Sequence, residues 1–136
     1  MTINNRIVSI IDDELDITQL YQVAIYGHID GISIVCFNNP VTALEHFIEN
    51  KKDYDLVISD LRMPGINGLE LLKKIKDSNS SVRTILMSAY NFDEDKLFQE
   101  YVEKGIIDST IEKPVTIQRL CQRVRDELEI HQSMNS

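Results

Sequence analysis

Five short apolar runs punctuate the chain: IVSII (7–11), ISIVCF (32–37), DLVIS (55–59), TILMS (84–88) and a weaker IIDSTI (106–111). The first four are dense in Ile, Val and Leu with little alternation, as in parallel strands covered on both faces. Between the runs, apolar residues recur at helical spacing. Ile17, Leu20, Tyr21 and Ala24 follow the first run. Val41, Leu44, Phe47 and Ile48 follow the second, after Asn39 as cap and Pro40 at the first helical position. Asn67 suits the cap of a third helix, with Leu69, Leu72 and Ile75 facing inward. Asn91 precedes a fourth, where Leu97, Phe98, Tyr101 and Val102 are apolar and Gly105 suits the C′ position. Thr116 opens a fifth, with Ile117, Leu120, Cys121, Val124 and Leu128 on one side. The last residues, HQSMNS, read as an unstructured polar tail.

Strand and helix alternating through short connections predict a parallel, doubly wound α/β sheet with right-handed crossovers. There is no internal repeat and no interdomain linker. At 136 residues the chain reads as one domain, long enough to bury an independent core.

Composition narrows the partners. A net charge of −8 disfavours a nucleic-acid surface, which needs a basic face. No apolar run approaches about 18 residues and no basic-then-apolar leader begins the chain, so no membrane contact and a cytoplasmic location are expected. Cys36 and Cys121 read as small buried hydrophobes, and His28, His46 and His131 as surface residues.

Chemistry concentrates where the runs end. In a doubly wound sheet, function gathers at the C-terminal ends of the strands. The first run leads into Asp12-Asp13 and the third into Asp60, inside SDLRMPGING. The fourth ends at Ser88-Ala89, and the fifth is followed by Lys113-Pro114. Three acids, a hydroxyl and an ammonium therefore share one rim. Two carboxylates about 4 Å apart repel by roughly 4 kcal/mol at an effective dielectric of 20. Three of them beside one lysine call for further positive charge, and Mg²⁺, a hard cation that takes carboxylates, waters and phosphate oxygens, suits the need.

In this arrangement the sequence resembles the receiver domains of two-component response regulators, over about residues 5 to 128, with residues 129 to 136 left as the tail. The resemblance rests on IIDDE (10–14), SDLRMPGINGLELL (59–72), MSA (87–89) and EKPV (112–115), in order and at the corresponding strand ends. It implies a flavodoxin-like fold with strand order 2-1-3-4-5 and five flanking helices. It implies that Asp60 is the phosphoacceptor and that Asp12 and Asp13 hold Mg²⁺ with Asp60 and the backbone carbonyl of Arg62. Ser88 corresponds to the switch hydroxyl, and Lys113 to the lysine that pairs with the phosphoryl group, at a junction often held cis. The implied donor is the phosphohistidine of a sensor kinase or phosphotransfer protein. The implied output is a change of affinity for a downstream protein, or self-association, through the fourth helix, fifth strand and fifth helix. Such a protein is a switch more than an enzyme, although it assists its own phosphorylation and dephosphorylation.

Other readings meet specific obstacles. A haloacid-dehalogenase-type phosphatase needs a second Asp two residues after the nucleophile, where Arg62 stands. A flavodoxin-type FMN binder needs a Ser/Thr/Gly-rich loop where this chain has Asp12-Asp13-Glu14. A degenerate receiver serving only as a docking module is disfavoured by the intact acids and Lys113. One position departs from the family pattern: Thr110 stands where a switch aromatic is usual, which puts readout through an aromatic rotamer in doubt. Tyr90 and Arg62, each two residues beyond a site residue, are expected to overhang the pocket mouth and hinder the hydrolytic water. No output domain is visible, which favours a stand-alone regulator over a receiver cut from a longer chain.

Overall fold

The computed structural model describes residues 6–89 and 95–135. Five strands, β1 (Ile7–Ile11), β2 (Ser33–Phe37), β3 (Tyr54–Asp60), β4 (Arg83–Ser88) and β5 (Ser109–Glu112), form one parallel sheet in the order β2-β1-β3-β4-β5. They alternate with α1 (Leu15–Tyr26), α2 (Pro40–Asn50), α3 (Gly68–Ser78), α4 (Lys96–Glu103) and α5 (Ile117–Met134). A 3₁₀ turn (Lys51–Asp53) joins α2 to β3. The expected flavodoxin-like class and strand order are both present.

Burial follows position in the sheet. Every residue of β1 and β3 is buried, as is all of β4 after Arg83, because helices cover both faces. β2 departs from the expectation: it is an edge strand in which only Ile34 is fully buried, so Cys36 is half-buried. One core lies between the sheet and α2, α3 and α4, around Phe47, Leu72, Ile75 and Tyr101. The other lies under α1 and α5, around Tyr21, Ile25, Leu120 and Val124.

Helix starts match their sequence signals. Asn39 Oδ1 accepts from the Val41 and Thr42 amides, Asn67 Oδ1 from Glu70, and Thr116 Oγ1 from Arg119. Asn91 lies outside the described residues; α4 is capped instead by Asp95, whose Oδ1 accepts from the Phe98 amide.

Several inward faces differ from the apolar stripes. On α1 the buried residues are Thr18, Tyr21 and Ile25, whereas Leu20 is exposed. On α2 they are Pro40, Ala43 and Phe47, with Val41 and Ile48 exposed. Leu97 and Val102 on α4 and Ile117 on α5 also face solvent. The fifth strand is shorter and later than its apolar run, because Ile106 and Ile107 form the turn after α4, where both amides bond to the Tyr101 carbonyl.

The C-terminal tail is the largest correction. Residues 131–135 are not unstructured: α5 continues through His131 to Met134, and Asn135 terminates it. Its last turns lie on the base of the sheet, where His131 is 13% exposed beside Asp55. His46 is likewise more than a surface residue, since its Nδ1 lies 2.6 Å from the Tyr54 hydroxyl. His28 is exposed as expected.

Candidate functional site

Strand register assembles the rim. Ile11 lies opposite Ser59, Asp60 opposite Met87 and Ser88 opposite Glu112. The residues at or just beyond these pairs therefore leave the sheet along one edge. Asp12 and Asp13 follow β1, Asp60 closes β3, Ser88 closes β4 and Lys113 follows β5.

Asp12 is 1% exposed and Asp60 9%, whereas Asp13 faces solvent. One ligand oxygen from each of the three lies within 4.8 Å of the others. Asp12 Oδ1 accepts from the Glu14 amide at 3.0 Å, which leaves Oδ2 for the ammonium of Lys113 at 2.9 Å. The same Nζ lies 3.1 Å from Asp60 Oδ1. Lys113 thus bridges the acids at the ends of β1 and β3, and the Lys113–Pro114 peptide is cis.

Electrostatics describes a site short of positive charge. Burial raises the Asp60 carboxyl above its ordinary value; Lys113 pulls it back down, while Asp12 and Asp13 push it up. Burial alone would lower Lys113, but its bonds to Asp12 and Asp60 prevail and hold it above its ordinary value. A hard divalent cation among these oxygens would relieve the repulsion, and carboxylate oxygens are the donors that Mg²⁺ accepts. The donor set fits the ion.

The β3–α3 connection reaches the site by two different uses of glycine. Gly65 has φ +86°, a left-handed conformation that L side chains rarely adopt. Gly68 is there for proximity: a Cβ on it would stand 2.3 Å from the Asp60 carbonyl oxygen. Its amide bonds to the Leu61 carbonyl at 2.8 Å, folding the loop back onto the strand end. The loop walls an open groove of about 670 Å³, lined by Asp13, Leu61, Arg62, Met63, Pro64, Asn67, Leu69, Asp95 and Leu97.

The other expected residues fall as follows. Ser88 is buried at the end of β4, its carbonyl accepting from the Lys113 amide at 2.9 Å, and Ala89 is exposed beyond it. Arg62 is exposed on the groove wall. Thr110 is half-buried on β5 and lines a shallow recess with Arg119, Arg123 and Asp126 of α5. Tyr90 lies outside the described residues. Sequence reasoning assigned Tyr21 only to a helical stripe. Burial raises its phenol above the ordinary value, Lys113 lowers it, and Asp12, Asp60 and Glu14 raise it, so the hydroxyl senses the rim. A tyrosine among aliphatic stripe residues was the one available signal.

Fold and rim together define a doubly wound α/β domain with an acidic, cation-ready edge. The chain belongs to the response regulator receiver domain family, whose model matches residues 8–125. It is 31% identical over 121 residues to sporulation initiation phosphotransferase F of Bacillus subtilis, covering 89% of this chain and 92% of that protein. It is 32% identical over 113 residues to the transcriptional regulatory protein ZraR of Klebsiella oxytoca, covering 83% of this chain but 24% of ZraR. The chain thus spans about a quarter of that longer regulator. Among solved structures, the signal receiver domain of an HD domain-containing protein from Pseudomonas fluorescens Pf-5 superposes with a TM-score of 0.82 at 23% identity, covering 99% and 95% of the two chains. Response regulator protein TrrA of Thermotoga maritima, solved in complex with Mg(2+)-BeF, gives 0.75 at 28% identity, covering 90% and 98%. Receiver domains are switch domains of two-component signalling and bind Mg²⁺ at an acidic pocket. Among the described residues, no helix is long and apolar enough to cross a membrane.

Proposed function

We propose that this receiver takes a phosphoryl group onto Asp60 from the phosphohistidine of a sensor kinase or phosphotransfer protein. The observation that carries the reading is the convergence of Asp12, Asp13 and Asp60 on one point with Lys113 bridging two of them. An Asp60 carboxylate oxygen attacks phosphorus in line, the P–N bond to the donor imidazole breaks, and the imidazole leaves with the bonding pair. Asp12, Asp13, Asp60 and the Arg62 carbonyl would hold Mg²⁺, which supplies charge neutralisation for the phosphoryl oxygens. Lys113 adds a second positive charge from the β5 side, and Ser88 offers a hydroxyl to the bound phosphoryl group. That TrrA, at 28% identity, was solved in complex with Mg(2+)-BeF supports an Mg²⁺-assisted phosphoryl site in a chain of this kind.

A strip of exposed apolar residues on α1, Leu15, Leu20, Val23 and Tyr26, begins immediately beyond the acidic pair. Exposed apolar side chains beside the acidic pair suit a protein contact, and we assign this helix to the phosphodonor. The downstream partner, or a second copy, takes the surface of α4, β5 and α5. The cytoplasm is the compartment that suits such a relay.

A small acyl-phosphate donor should add one phosphoryl group to the protein in Mg²⁺ and none in excess chelator, as read by intact mass. Peptide mapping should place it on Asp60, and Asp60→Asn should remain unlabelled. Labelling that persists in Asp60→Asn, or that ignores chelator, would refute the assignment; an unlabelled wild type would favour the docking-only receiver.

Arg62 should govern how long the phosphoryl group survives. Its side chain stands on the groove wall two residues beyond Asp60, where hydrolytic water must approach. Phosphorylated Arg62→Ala should lose its label about three- to tenfold faster than wild type without any partner, equivalent to about 1 kcal/mol of barrier. An unchanged decay would remove the shielding role. Tyr90→Ala provides the companion measurement.

A further inference from the structure

We infer that the end of α5 is a pH-operated latch, docked on the base of the sheet while His131 is neutral and released when it is protonated. The site proposed above lies at the opposite edge of the sheet and shares no residue with the latch.

One stripe of α5 faces the base of the sheet. Glu127, His131 and Met134, four and three residues apart, point at the strand starts. Glu127 Oε2 accepts from Arg83 Nε at 2.6 Å, and Arg83 also reaches Met134 Sδ at 3.7 Å. His131 Nδ1 lies 3.5 Å from Asp55 Oδ1, and the other oxygen of Asp55 accepts from Arg6 Nε at 2.8 Å. Asp55 is therefore already paired before the imidazole is considered.

The charges around the stripe decide the direction. Among the described residues they are Arg6 before β1, Asp55 on β3, Lys76 on α3, Arg83 on β4, Asp108 before β5 and Glu127 on α5 itself. Lys52 and Asp53 of the 3₁₀ turn line a groove at the base of the sheet together with His131, and cancel one another. With the imidazole neutral the set sums to zero, and each carboxylate has a cationic partner. A proton on His131 adds a positive charge to a set already neutral, at a site 13% exposed, where the adjacent acid, Asp55, is already shared with Arg6. Burial holds the docked imidazole below its ordinary value; Asp55 pulls it up, while Arg6, Arg83 and Lys76 push it down. Released into water, the same ring returns to about 6.5. The free state thus binds the proton more tightly than the docked state. Docking is fully favoured above about pH 6.5 and is lost as pH falls through the docked value.

The test uses the full chain labelled with ¹⁵N. The ring shifts of His131 and the backbone heteronuclear NOEs of residues 130–135 are followed between pH 8 and pH 5. In the wild type the NOEs should be those of a rigid helix at pH 7.5 and fall at lower pH, with the same midpoint as the His131 ring and below the ordinary imidazole value of about 6.5. In His131→Gln, which keeps a polar side chain without the titration, they should stay high throughout. NOEs independent of pH in the wild type, or a His131 ring titrating at or above about 6.5, would overturn the latch. So would the same fall in His131→Gln. Should that variant be mobile at every pH, Arg6→Gln decides: removing a facing cation must raise the His131 midpoint, and an unmoved midpoint overturns the inference.

Discussion

Phosphorylated Lys113→Ala is expected to show little of the wild-type change in amide exchange on α4 and β5, although its Asp60 still accepts the phosphoryl group. Lys113 is the side chain that ties the acid at the end of β3 to the loop leaving β5, through contacts of 3.1 Å to Asp60 and 2.9 Å to Asp12. Without it, a new charge on Asp60 has no side chain from β5 to draw on. The variant should fold, since the lysine stands at the rim, but without Mg²⁺ it leaves three acids uncompensated. A loss of about 1–2 kcal/mol in chelator is expected, as for a charged hydrogen-bond partner that is partly solvated. Because the docked ammonium is held above its ordinary value, its contribution is present below about pH 10 and lost only as pH rises further. The deficit should therefore be flat from pH 6 to pH 9. A wild-type exchange response in the phosphorylated variant would show that Lys113 does not transmit the signal.

Glu127→Ala should be the most destabilising single change outside the hydrophobic cores. Glu127 is 3% exposed, and its two oxygens serve Arg83 at 2.6 Å and Ser109 at 3.0 Å. Among the described residues, Arg83 would retain Asp108, at 3.4 Å, as its acidic partner. Breaking a buried pair by removing one partner costs about 3 kcal/mol, because the other charge stays buried. For a domain of this size that lowers Tm by about 10 °C. Thermal unfolding tests it, with Arg83→Met/Glu127→Leu as the control that removes both charges and should recover most of the loss. A single-mutant shift under about 2 °C would mean that the basal pairs contribute little.

The rim was legible in the sequence because each of its residues ends a run that could hardly be anything but a strand. Asp12, Asp60, Ser88 and Lys113 needed only the rule that strand ends share an edge. The caps Asn39, Asn67 and Thr116 were legible for a similar reason, since their side chains act within three residues. The inward faces of α1, α2 and α4 were less so. Apolar spacing admits neighbouring phases, and only the sheet decides that Ile25 rather than Leu20, and Ala43 rather than Val41, turns inward. The base of the sheet was not legible at all. Arg6, Asp55, Lys76, Arg83, Asp108 and Glu127 come from six separate segments, each an ordinary surface charge in its own neighbourhood. For the same reason HQSMNS looked like a tail: His131 and Met134 dock on residues far away in sequence.

Gly68 and Asp60 show what the switch costs its own fold. Burial and two neighbouring acids hold the Asp60 carboxyl above its ordinary value, so its ionised form at neutral pH weakens the metal-free protein. The basal pairs and both hydrophobic cores lie away from that edge. Exchanging Asp60 for an amide would therefore leave the scaffold intact and ease its electrostatic cost, whereas a methyl on Gly68 would collide with the backbone of Asp60 itself. Over many generations, a lineage freed from signalling would shed the aspartate readily and keep the glycine. Silent descendants of such a chain should be found as sturdier copies that still carry the loop but no longer the acid.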